Sequence, residues 1–204
     1  MKLVFTWIQW CWKWTQARLL VDNYGFTLLE MGQELRNIVS SWSELGLKIK
    51  WILESWALVS SDIVWEIMKE VLANQSNENL ILDWFIRNEW NKKSLEKLVD
   101  NYQVVFFELS KEKAIERLLG RMYNPSTGET FIAWTKADPE TWDELIVRKD
   151  DNEESILKRI DEYMNNTLPT AELQRKEWRV ISINADQSIS EVASEMVEKL
   201  WLNK

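Results

Sequence analysis

Lys13 and Thr15 are the residues near the start of the chain whose chemistry suits phosphate. They lie between a short apolar run, Lys2 to Thr6, and a stretch with helical periodicity that continues to Tyr24. A lysine and a hydroxyl residue at a helix start bind nucleotide phosphates and Mg2+ when small loop residues let backbone N–H groups turn inward. Here the loop is WIQWCWKW, from Trp7 to Trp14, and only Lys13-Trp14-Thr15 fits such a site as it stands.

Glycine is unusually scarce in this chain and tryptophan unusually common. The 204 residues include 14 tryptophans and 5 glycines, whereas roughly 7% of an ordinary domain is glycine. Trp84, after Asp83, and Trp142, in a polar turn, stand where a small residue with freedom in φ is expected. We hypothesise that these tryptophans stand for glycine, as when a UGA codon meant as glycine is translated as tryptophan. Deliberate substitution at every such site is a much weaker explanation.

With glycine at the tryptophan positions, residues 7 to 15 become GIQGCGKGT, which is a phosphate-binding loop between a strand and a helix. Lys13 would then contact the β- and γ-phosphates of a nucleotide, and the Thr15 hydroxyl would reach Mg2+. The sequence therefore predicts nucleotide binding on condition that the tryptophans stand for glycine.

Composition excludes several other kinds of chemistry. The chain has no histidine and one cysteine, Cys11, which excludes an internal disulfide, Cys/His zinc sites and histidine acid–base catalysis. A net charge of -8 disfavours general nucleic-acid binding, because that affinity depends on Lys and Arg neutralising phosphates. The apolar N-terminus is interrupted by Gln9, Lys13 and Arg18, so we expect neither a signal peptide nor a membrane anchor.

The elements that would position these residues alternate between strands and helices. Compact apolar runs predict strands at Lys2–Thr6, Leu80–Asp83, Val104–Leu109 and Val180–Ile183. Periodic segments predict helices at Thr15–Tyr24, Glu34–Ser40, Leu45–Glu54, Asp62–Ala73, Asn91–Asn101, Lys111–Tyr123, Glu153–Asn166 and Ser190–Leu202. Such alternation indicates one α/β core with a mainly parallel sheet. The helical stretch Met31–Val71 and the turn-rich stretch Asn124–Ile146 do not fit the sheet and are predicted to be insertions; the second could equally be a plain surface loop.

Five ordered blocks make the chain resemble the adenylate kinases, along essentially its whole length. They are Lys13-Trp14-Thr15-Gln16-Ala17, Asp83-Trp84-Phe85-Ile86-Arg87, Arg117-Leu118-Leu119-Gly120-Arg121, Arg148-Lys149-Asp150-Asp151 and Arg159. The resemblance implies a P-loop NTPase-like core with a five-stranded parallel sheet flanked by helices. It also implies a helical monophosphate-binding insertion at residues 31–59 and an ATP lid at residues 123–147.

The same resemblance implies roles for individual residues. The residues that it makes catalytic are Lys13, Arg87, Arg121, Arg148 and Arg159. Those that it places at ATP are Trp10, Cys11, Trp12, Lys13, Trp14, Thr15, Arg117 and Arg121. Arg117 would stack on the adenine ring. Those that it places at AMP are Met31, Arg36, Val59, Trp84, Arg87, Asn91, Arg148 and Arg159. It implies Mg2+ as cofactor, held by Thr15 and, through water, by Asp83. Guanidinium groups suit phosphoryl transfer, because the reaction needs positioning and charge stabilisation rather than proton chemistry.

The chain also departs from the family pattern. Glu30-Met31-Gly32-Gln33 replaces Ser-Thr-Gly-Asp, Ile86 replaces a proline, and Asn91 replaces a base-contacting glutamine. The lid segment has no zinc-binding cysteines, and a polar set resembles the residues that hydrogen-bond zinc-free lids: Asn124, Ser126, Asp138 and Thr141. These could also be solvated loop residues. We expect Cys11 to be a spectator, and Asp150 and Asp151 to orient nearby arginines or the lid hinge.

The implied partners are ATP, AMP and ADP, in a cytoplasmic monomer that binds neither nucleic acid nor membrane. A kinase for another nucleoside monophosphate is the alternative within the same class. Two other hypotheses take the tryptophans literally: an inactive binding module whose indoles stack on bases or sugars, and an aggregation-prone engineered variant.

Overall fold

A parallel sheet forms the centre of the computed structural model, which describes residues 1–8, 13–41, 43–54, 59–127, 130–131, 135–147 and 151–202. In these ranges the strands are β1 (Lys2–Trp7), β2 (Thr27–Glu30), β3 (Leu80–Asp83), β4 (Gln103–Glu108), β5 (Met122–Tyr123), β6 (Thr130–Phe131) and β7 (Val180–Asn184). Five of them form the parallel sheet, in the order β2-β3-β1-β4-β7, and β5 and β6 pair as a separate antiparallel ribbon. The fold predicted from the resemblance, a five-stranded parallel sheet flanked by helices, is confirmed.

Helices connect the strands and cover the sheet. They are α1 (Lys13–Tyr24), α2 (Met31–Ser40), α3 (Glu44–Glu54), α4 (Ser61–Ala73), α5 (Glu89–Leu95), α6 (Lys111–Leu119), α7 (Glu153–Glu162), α8 (Leu168–Lys176) and α9 (Ile189–Lys199). A π-helical segment, Tyr163–Thr167, joins α7 to α8. Side chains of Ser110, Asn152 and Ser188 cap the starts of α6, α7 and α9 by accepting backbone N–H bonds. No helix in the described ranges is long and apolar enough to cross a membrane.

Alternate residues of the central strands pack on opposite faces of the sheet. Val4 and Leu82 are fully buried in one apolar cluster, together with Met68 of α4. Phe5 and Ile81 are fully buried in a second cluster, which includes residues of α1 and α9. Burial on both faces explains the continuous apolar runs from which β1, β3 and β4 were predicted.

Tryptophan occupies every non-glycine position with positive φ in the described part of the chain. The four residues are Trp84, Trp142, Trp178 and Trp201, with φ between 54° and 63°. A side chain with a Cβ costs roughly 1–2 kcal/mol in this conformation, which glycine adopts freely. The backbone therefore supports the hypothesis that these tryptophans stand for glycine.

Trp178 and Trp201 follow α8 and α9 in the position where glycine most often ends a helix. The N–H of Arg179 donates to the carbonyl of Gln174, and the N–H of Trp178 donates to Arg175, both at 3.1 Å. Residues 197 to 202 repeat this pattern with Trp201 in the left-handed position. These are Schellman motifs, whose left-handed residue is usually glycine. The two indoles are 95% and 88% exposed, so burial of the rings does not offset the strain.

The predicted strands and most helices are confirmed, with differences at the ends. β2, β5, β6 and α8 were not predicted. The helix predicted at Asn91–Asn101 ends at Leu95, and the helix predicted at Lys111–Tyr123 ends at Leu119, after which Met122–Tyr123 is a strand. The helix predicted at Glu153–Asn166 passes into the π-helical segment. The segment Met31–Ala73 lies outside the sheet as three helices, α2 to α4.

Candidate active site

The carboxyl ends of three neighbouring strands bring polar side chains together. In the register of the sheet, Asp83 at the end of β3 lies beside Phe5 of β1 on one side and Glu30 of β2 on the other. α1 starts with Lys13 just beyond the end of β1. In open α/β sheets this edge is where ligands bind.

Lys13 and Asp83 form an ion pair at this edge. The Lys13 ammonium contacts one carboxylate oxygen, Oδ2, of Asp83. The other oxygen, Oδ1, is buried and has no hydrogen-bond partner among the described residues. Asp83 as a whole is only 3% exposed. A buried carboxylate oxygen without a donor is costly, so it marks a place where a ligand donor or a bound water is needed.

The environment of Asp83 changes its protonation. Burial raises the pKa of its carboxyl group from 3.8 to about 6, because the charged form loses hydration. The charge and the hydrogen bonding of Lys13 lower the pKa, whereas the charge of Glu30 and a hydrogen bond between the two carboxyl groups raise it. Lys13 therefore favours the charged form of Asp83, and Glu30 favours the protonated form.

Arg87 follows the same strand by four residues and lies over an aromatic ring. Its guanidinium carbon is 3.3 Å from the centroid of the Trp84 ring. Burial lowers the pKa of Arg87 to about 10, against the opposing charges of Asp83 and Glu162. Its backbone is also held: the Thr167 hydroxyl donates to the Arg87 carbonyl at 3.0 Å. Arg87 is therefore fixed beside the Lys13–Asp83 pair.

A second group of charges joins the end of α6 to α7. Arg121 donates from both Nε and Nη2 to the two oxygens of Asp151, and Arg159 donates from Nη2 to Asp151 Oδ1 at 3.0 Å. The Asp151 carboxylate is fully buried. One carboxylate therefore holds two guanidinium groups side by side. The expectation that Asp151 orients neighbouring arginines is confirmed by these contacts, whereas Asp150 lies outside the described residues.

Comparison with known proteins shows the family. The adenylate kinase family model matches residues 10–178. The adenylate kinase of Borrelia turicatae is 33% identical over 97% of this chain and 98% of its own length. That of Chloroherpeton thalassium is 30% identical over 92% of each chain. UMP-CMP kinase 3 of Arabidopsis thaliana is 28% identical over 90% of this chain and 81% of its own length.

The chain belongs to the adenylate kinase family. It is therefore a nucleoside monophosphate kinase, a phosphotransferase with the P-loop NTPase-like fold. The matched range contains the ion pair of Lys13 and Asp83, Arg87, and the Arg121–Asp151–Arg159 group.

The residues predicted at ATP are only partly described. Trp10, Cys11 and Trp12 lie outside the described residues, as does Arg148. Trp14 is 42% exposed, and its ring lies 5.0 Å from the Arg18 guanidinium carbon.

Thr15, also predicted at ATP and at Mg2+, lies exposed in the first turn of α1. Arg117 of α6 donates to the Ala185 carbonyl at 2.9 Å, which brings it against the loop after β7.

The residues predicted at AMP lie in two places. Met31, the first residue of α2, is buried, and Val59 packs partly buried against the same apolar cluster. Arg36 is on the exposed face of α2, where it donates to the Gln33 amide oxygen at 2.8 Å. Asn91 is buried, and its amide oxygen accepts from the Arg87 backbone N–H at 3.2 Å. Asn91 thus supports the turn that carries Arg87.

The polar set predicted in the lid forms a hydrogen-bonded cluster. The Asn124 amide donates to Asp138 at 2.7 Å and to the Thr141 hydroxyl at 3.2 Å, while its oxygen accepts from the Ser126 N–H at 2.8 Å. Burial raises the pKa of Asp138, but hydrogen bonds from Asn124 and from backbone N–H groups outweigh it and hold that pKa below its usual value. Asn124 and Asp138 are buried and form a specific contact, whereas Ser126 and Thr141 are exposed.

Sequence reasoning missed Glu30 and Thr167. Glu30 ends a strand that was not predicted, so its place beside Asp83 was hidden. Thr167 lies in the π-helical segment, which has no distinct sequence signal, yet it bonds to the Arg87 backbone across 80 residues of chain.

Proposed function

We propose that this protein transfers the γ-phosphoryl group of Mg-ATP to AMP, giving two ADP, and catalyses the reverse reaction. The observation that carries the proposal is the arrangement of Lys13, Asp83 and Arg87 at the carboxyl edge of the sheet in a chain of this family. Lysine and arginine on one edge give cations for both a donor and an acceptor phosphate.

The reaction breaks the bond between the γ-phosphorus and the oxygen that leaves with ADP, and forms a bond from that phosphorus to an AMP phosphate oxygen. The attacking oxygen is already anionic, so no protein base has to remove a proton. Lys13 is assigned to the β- and γ-phosphates and Arg87 to the AMP phosphate. Charge on the group in transfer falls to Arg121 and Arg159, which Asp151 holds together, and to Arg148.

Mg2+ fits the residues present at this edge. Asp83 offers a buried oxygen without a donor, which suits a metal-bound water, and Thr15 offers a hydroxyl in the first turn of α1. When bound, Mg2+ supplies charge that neutralises the phosphates. Lys13 keeps Asp83 oriented, and burial keeps bulk water from that carboxylate.

The choice of acceptor monophosphate depends on which residues contact its nucleobase. Asn91 and Gln33 depart from the usual adenylate kinase residues, and Asn91 uses its amide oxygen on the Arg87 backbone. UMP-CMP kinases are among the relatives at 28–29% identity. AMP is supported by the family and by the adenylate kinases that match most of the chain; UMP or CMP is the second candidate.

The proposal also assigns the two insertions. Residues 31–59 would bind the monophosphate, and residues 123–147 would close over ATP and exclude water from the transfer. The buried Asn124–Asp138 contacts suit a lid that moves as a preformed unit. We further expect a cytoplasmic monomer that binds neither nucleic acid nor membranes, in keeping with its -8 charge.

The test uses the chain with glycine at all 14 tryptophan positions, called here the glycine chain; the sequence as given is the tryptophan chain. The glycine chain is incubated with Mg-ATP and, separately, AMP, UMP, CMP or GMP, and products are followed by 31P NMR. ADP formation that requires AMP and Mg2+ is expected. Transfer to UMP or CMP alone would select the second candidate, and no transfer to any acceptor would contradict the proposal.

A further inference from the structure

One edge of the main sheet is formed by β7, the last strand in the order β2-β3-β1-β4-β7. Where β7 pairs with β4, the Val104 N–H donates to the Arg179 carbonyl and the Ala185 N–H donates to the Glu108 carbonyl, both at 2.8 Å. Successive residues of a strand direct their backbone groups to opposite sides. The odd-numbered residues of β7 therefore bond to β4.

The backbone groups of Val180, Ser182 and Asn184 consequently face away from the sheet. An outward row of N–H and C=O groups can pair with another extended strand, because backbone hydrogen bonds do not depend on the side chains of the partner. The sequence of β7, Val-Ile-Ser-Ile-Asn, contains three β-branched apolar residues, which favour extended structure. Left uncovered, β7 would be a ready surface for a further strand.

Two side chains of α9 cover this edge. The Lys199 ammonium donates to the Ser182 carbonyl at 2.7 Å. The Glu195 carboxylate accepts from the Asn184 backbone N–H, with 3.3 Å to each of its oxygens. Glu195 and Lys199 lie one helical turn apart and form an ion pair of 2.7 Å with each other. These two residues, called here the edge pair, occupy an acceptor and a donor that an added strand would need.

Further contacts hold the edge pair and the strand. Gln187 donates to the Glu195 carboxylate at 2.6 Å, and Arg175 of α8 donates to the Ser182 hydroxyl at 3.2 Å. A partly exposed ion pair contributes little to stability by itself, so the contacts of the edge pair with outward backbone groups indicate a different role. Charged side chains, lysine above all, are a common means by which natural sheet edges avoid pairing.

We propose that Glu195 and Lys199 keep β7 from pairing with β7 of a second copy of this chain. Two copies related by a twofold axis would bring their β7 strands together antiparallel, and each strand would supply the same outward donors and acceptors. The uncovered edge is thus complementary to itself, which makes a second copy its partner. The proposal concerns a surface that takes no part in phosphoryl transfer, so it stands or falls separately from the proposed function.

Sedimentation velocity over a range of protein concentrations tests the proposal. The variants are made in the glycine chain, because the exposed indoles of Trp178 and Trp201, near β7 and α9, could themselves associate. Glu195→Ala combined with Lys199→Ala removes the edge pair without changing the net charge. Glu89→Ala combined with Lys93→Ala is the matched control, since these residues form an exposed ion pair of the same spacing at 2.6 Å on α5.

The variant without the edge pair is expected to self-associate at least roughly tenfold more tightly than the parent, because each copy gains a free backbone donor and acceptor for pairing. The control should behave as the parent does. A variant without the edge pair that associates no more than the parent would overturn the proposal. Equal association by the control would also overturn it, because the effect would then follow from the loss of any surface ion pair.

Ser182→Pro, added to the variant without the edge pair, shows whether the association uses β7. The Ser182 N–H faces outward, so proline removes a donor that an added strand would need but no bond to β4. Association should return to the level of the parent, and undiminished association would overturn the proposal.

Lys199→Ala alone guards against misfolding of the double variant. The Lys199 side chain is 46% exposed, so its removal leaves the core intact. Circular dichroism and thermal unfolding check the fold of every variant. The single variant should self-associate more tightly than the parent and less tightly than the double variant. If the double variant does not fold, the single variant decides, and association equal to that of the parent would overturn the proposal.

Discussion

At the scale of single residues, the site depends on how a few charges are buried and paired. Lys13 is paired with a nearly inaccessible carboxylate, and Arg87 is held through its backbone by Thr167 and Asn91. Within the described ranges, these contacts position both cations and leave some of their N–H donors without a protein acceptor. The remaining capacity is what a phosphate can use.

Arg87→Ala in the glycine chain should raise the KM for AMP far more than the Kd for ATP. Loss of a charge-assisted contact costs roughly 1.5–3 kcal/mol, which corresponds to roughly a tenfold to hundredfold effect on AMP. Arg179→Ala is the matched control, because Arg179 lies before β7, at the opposite edge of the sheet. Steady-state kinetics and ATP titration measure the two effects. Equal losses for AMP and ATP would show that Arg87 is not specific to the acceptor.

The raised pKa of Asp83 makes stability depend on pH. The pKa of Asp83 is about 6 in the folded protein, against an ordinary value of 3.8. Between these pH values the folded protein binds a proton at Asp83, whereas the unfolded chain does not. The stabilisation is complete below the lower value and is lost as the pH rises through about 6. Asp83→Asn cannot titrate and removes this dependence.

The pH dependence of stability is measured by urea unfolding of the tryptophan chain and of its Asp83→Asn variant. Relative to the variant, the parent should gain on the order of 3 kcal/mol in unfolding free energy as the pH falls from 7 to 4. Asp161→Asn, at an exposed carboxylate, is the control and should show no comparable trend. A parent that loses stability relative to Asp83→Asn over this range would refute the burial of a protonatable Asp83.

At the scale of elements, the site is assembled where helices meet strand ends. α6 ends just before Arg121, and α7 begins just after Asp151 and carries Arg159. The lid segment lies between them in the chain. Asp151 therefore joins two arginines that flank residues 123–147, the segment proposed as the lid.

Asp151→Asn should lower both stability and turnover. Removing one partner from a buried ion pair costs roughly 3–5 kcal/mol, because the other charges stay buried without compensation. Misplaced Arg121 and Arg159 should then lower kcat more than they raise either KM. Asp161→Asn again serves as control, since Asp161 pairs only at 3.8 Å with exposed Lys111. Unfolding free energies and steady-state kinetics measure the two effects. An unchanged kcat in a folded variant would show that Asp151 does not position the arginines for catalysis.

Elements with strong apolar runs could be predicted from the sequence, and weaker ones could not. β1, β3 and β4 are buried on both faces, which leaves an unmistakable pattern. β2 has only four residues, one of them buried, so its pairing is decided by β3 rather than by its own sequence. The site follows the same division. Asp83 ends a clear strand and Lys13 begins a clear helix, and both were predicted. Glu30 and Thr167 depend on tertiary contacts that sequence spacing does not show.

At the scale of the whole molecule, the tryptophans conflict with the fold that the rest of the sequence specifies. Strong local signals normally agree with the native structure. Here tryptophan occupies two Schellman motifs, a lid turn and a strand end, all with left-handed backbone. Substitution by glycine at these four positions would remove roughly 1–2 kcal/mol of strain at each.

The mass of the protein made in its native host follows from this. Intact-mass spectrometry should give a value lower than that of the tryptophan chain by 14 Trp-to-Gly differences. Tandem spectra of the peptide containing position 178 locate one of them where the backbone requires glycine. A mass equal to that of the tryptophan chain would refute the substitution and favour a literal tryptophan-rich protein.

The most direct test of the whole account is a comparison of AMP-dependent ADP formation by the glycine chain and by the tryptophan chain, at equal concentration, salt and Mg2+. The glycine chain should form ADP only when ATP, AMP and Mg2+ are all present, since its loop can then cradle phosphate and the space between Lys13 and Arg87 is open. The tryptophan chain should form no ADP above background, because indoles stand in the phosphate-binding loop and against both Lys13 and Arg87. Equal activity of the two chains would contradict the role given to glycine, and inactivity of a folded glycine chain would contradict the assignment of phosphoryl transfer itself.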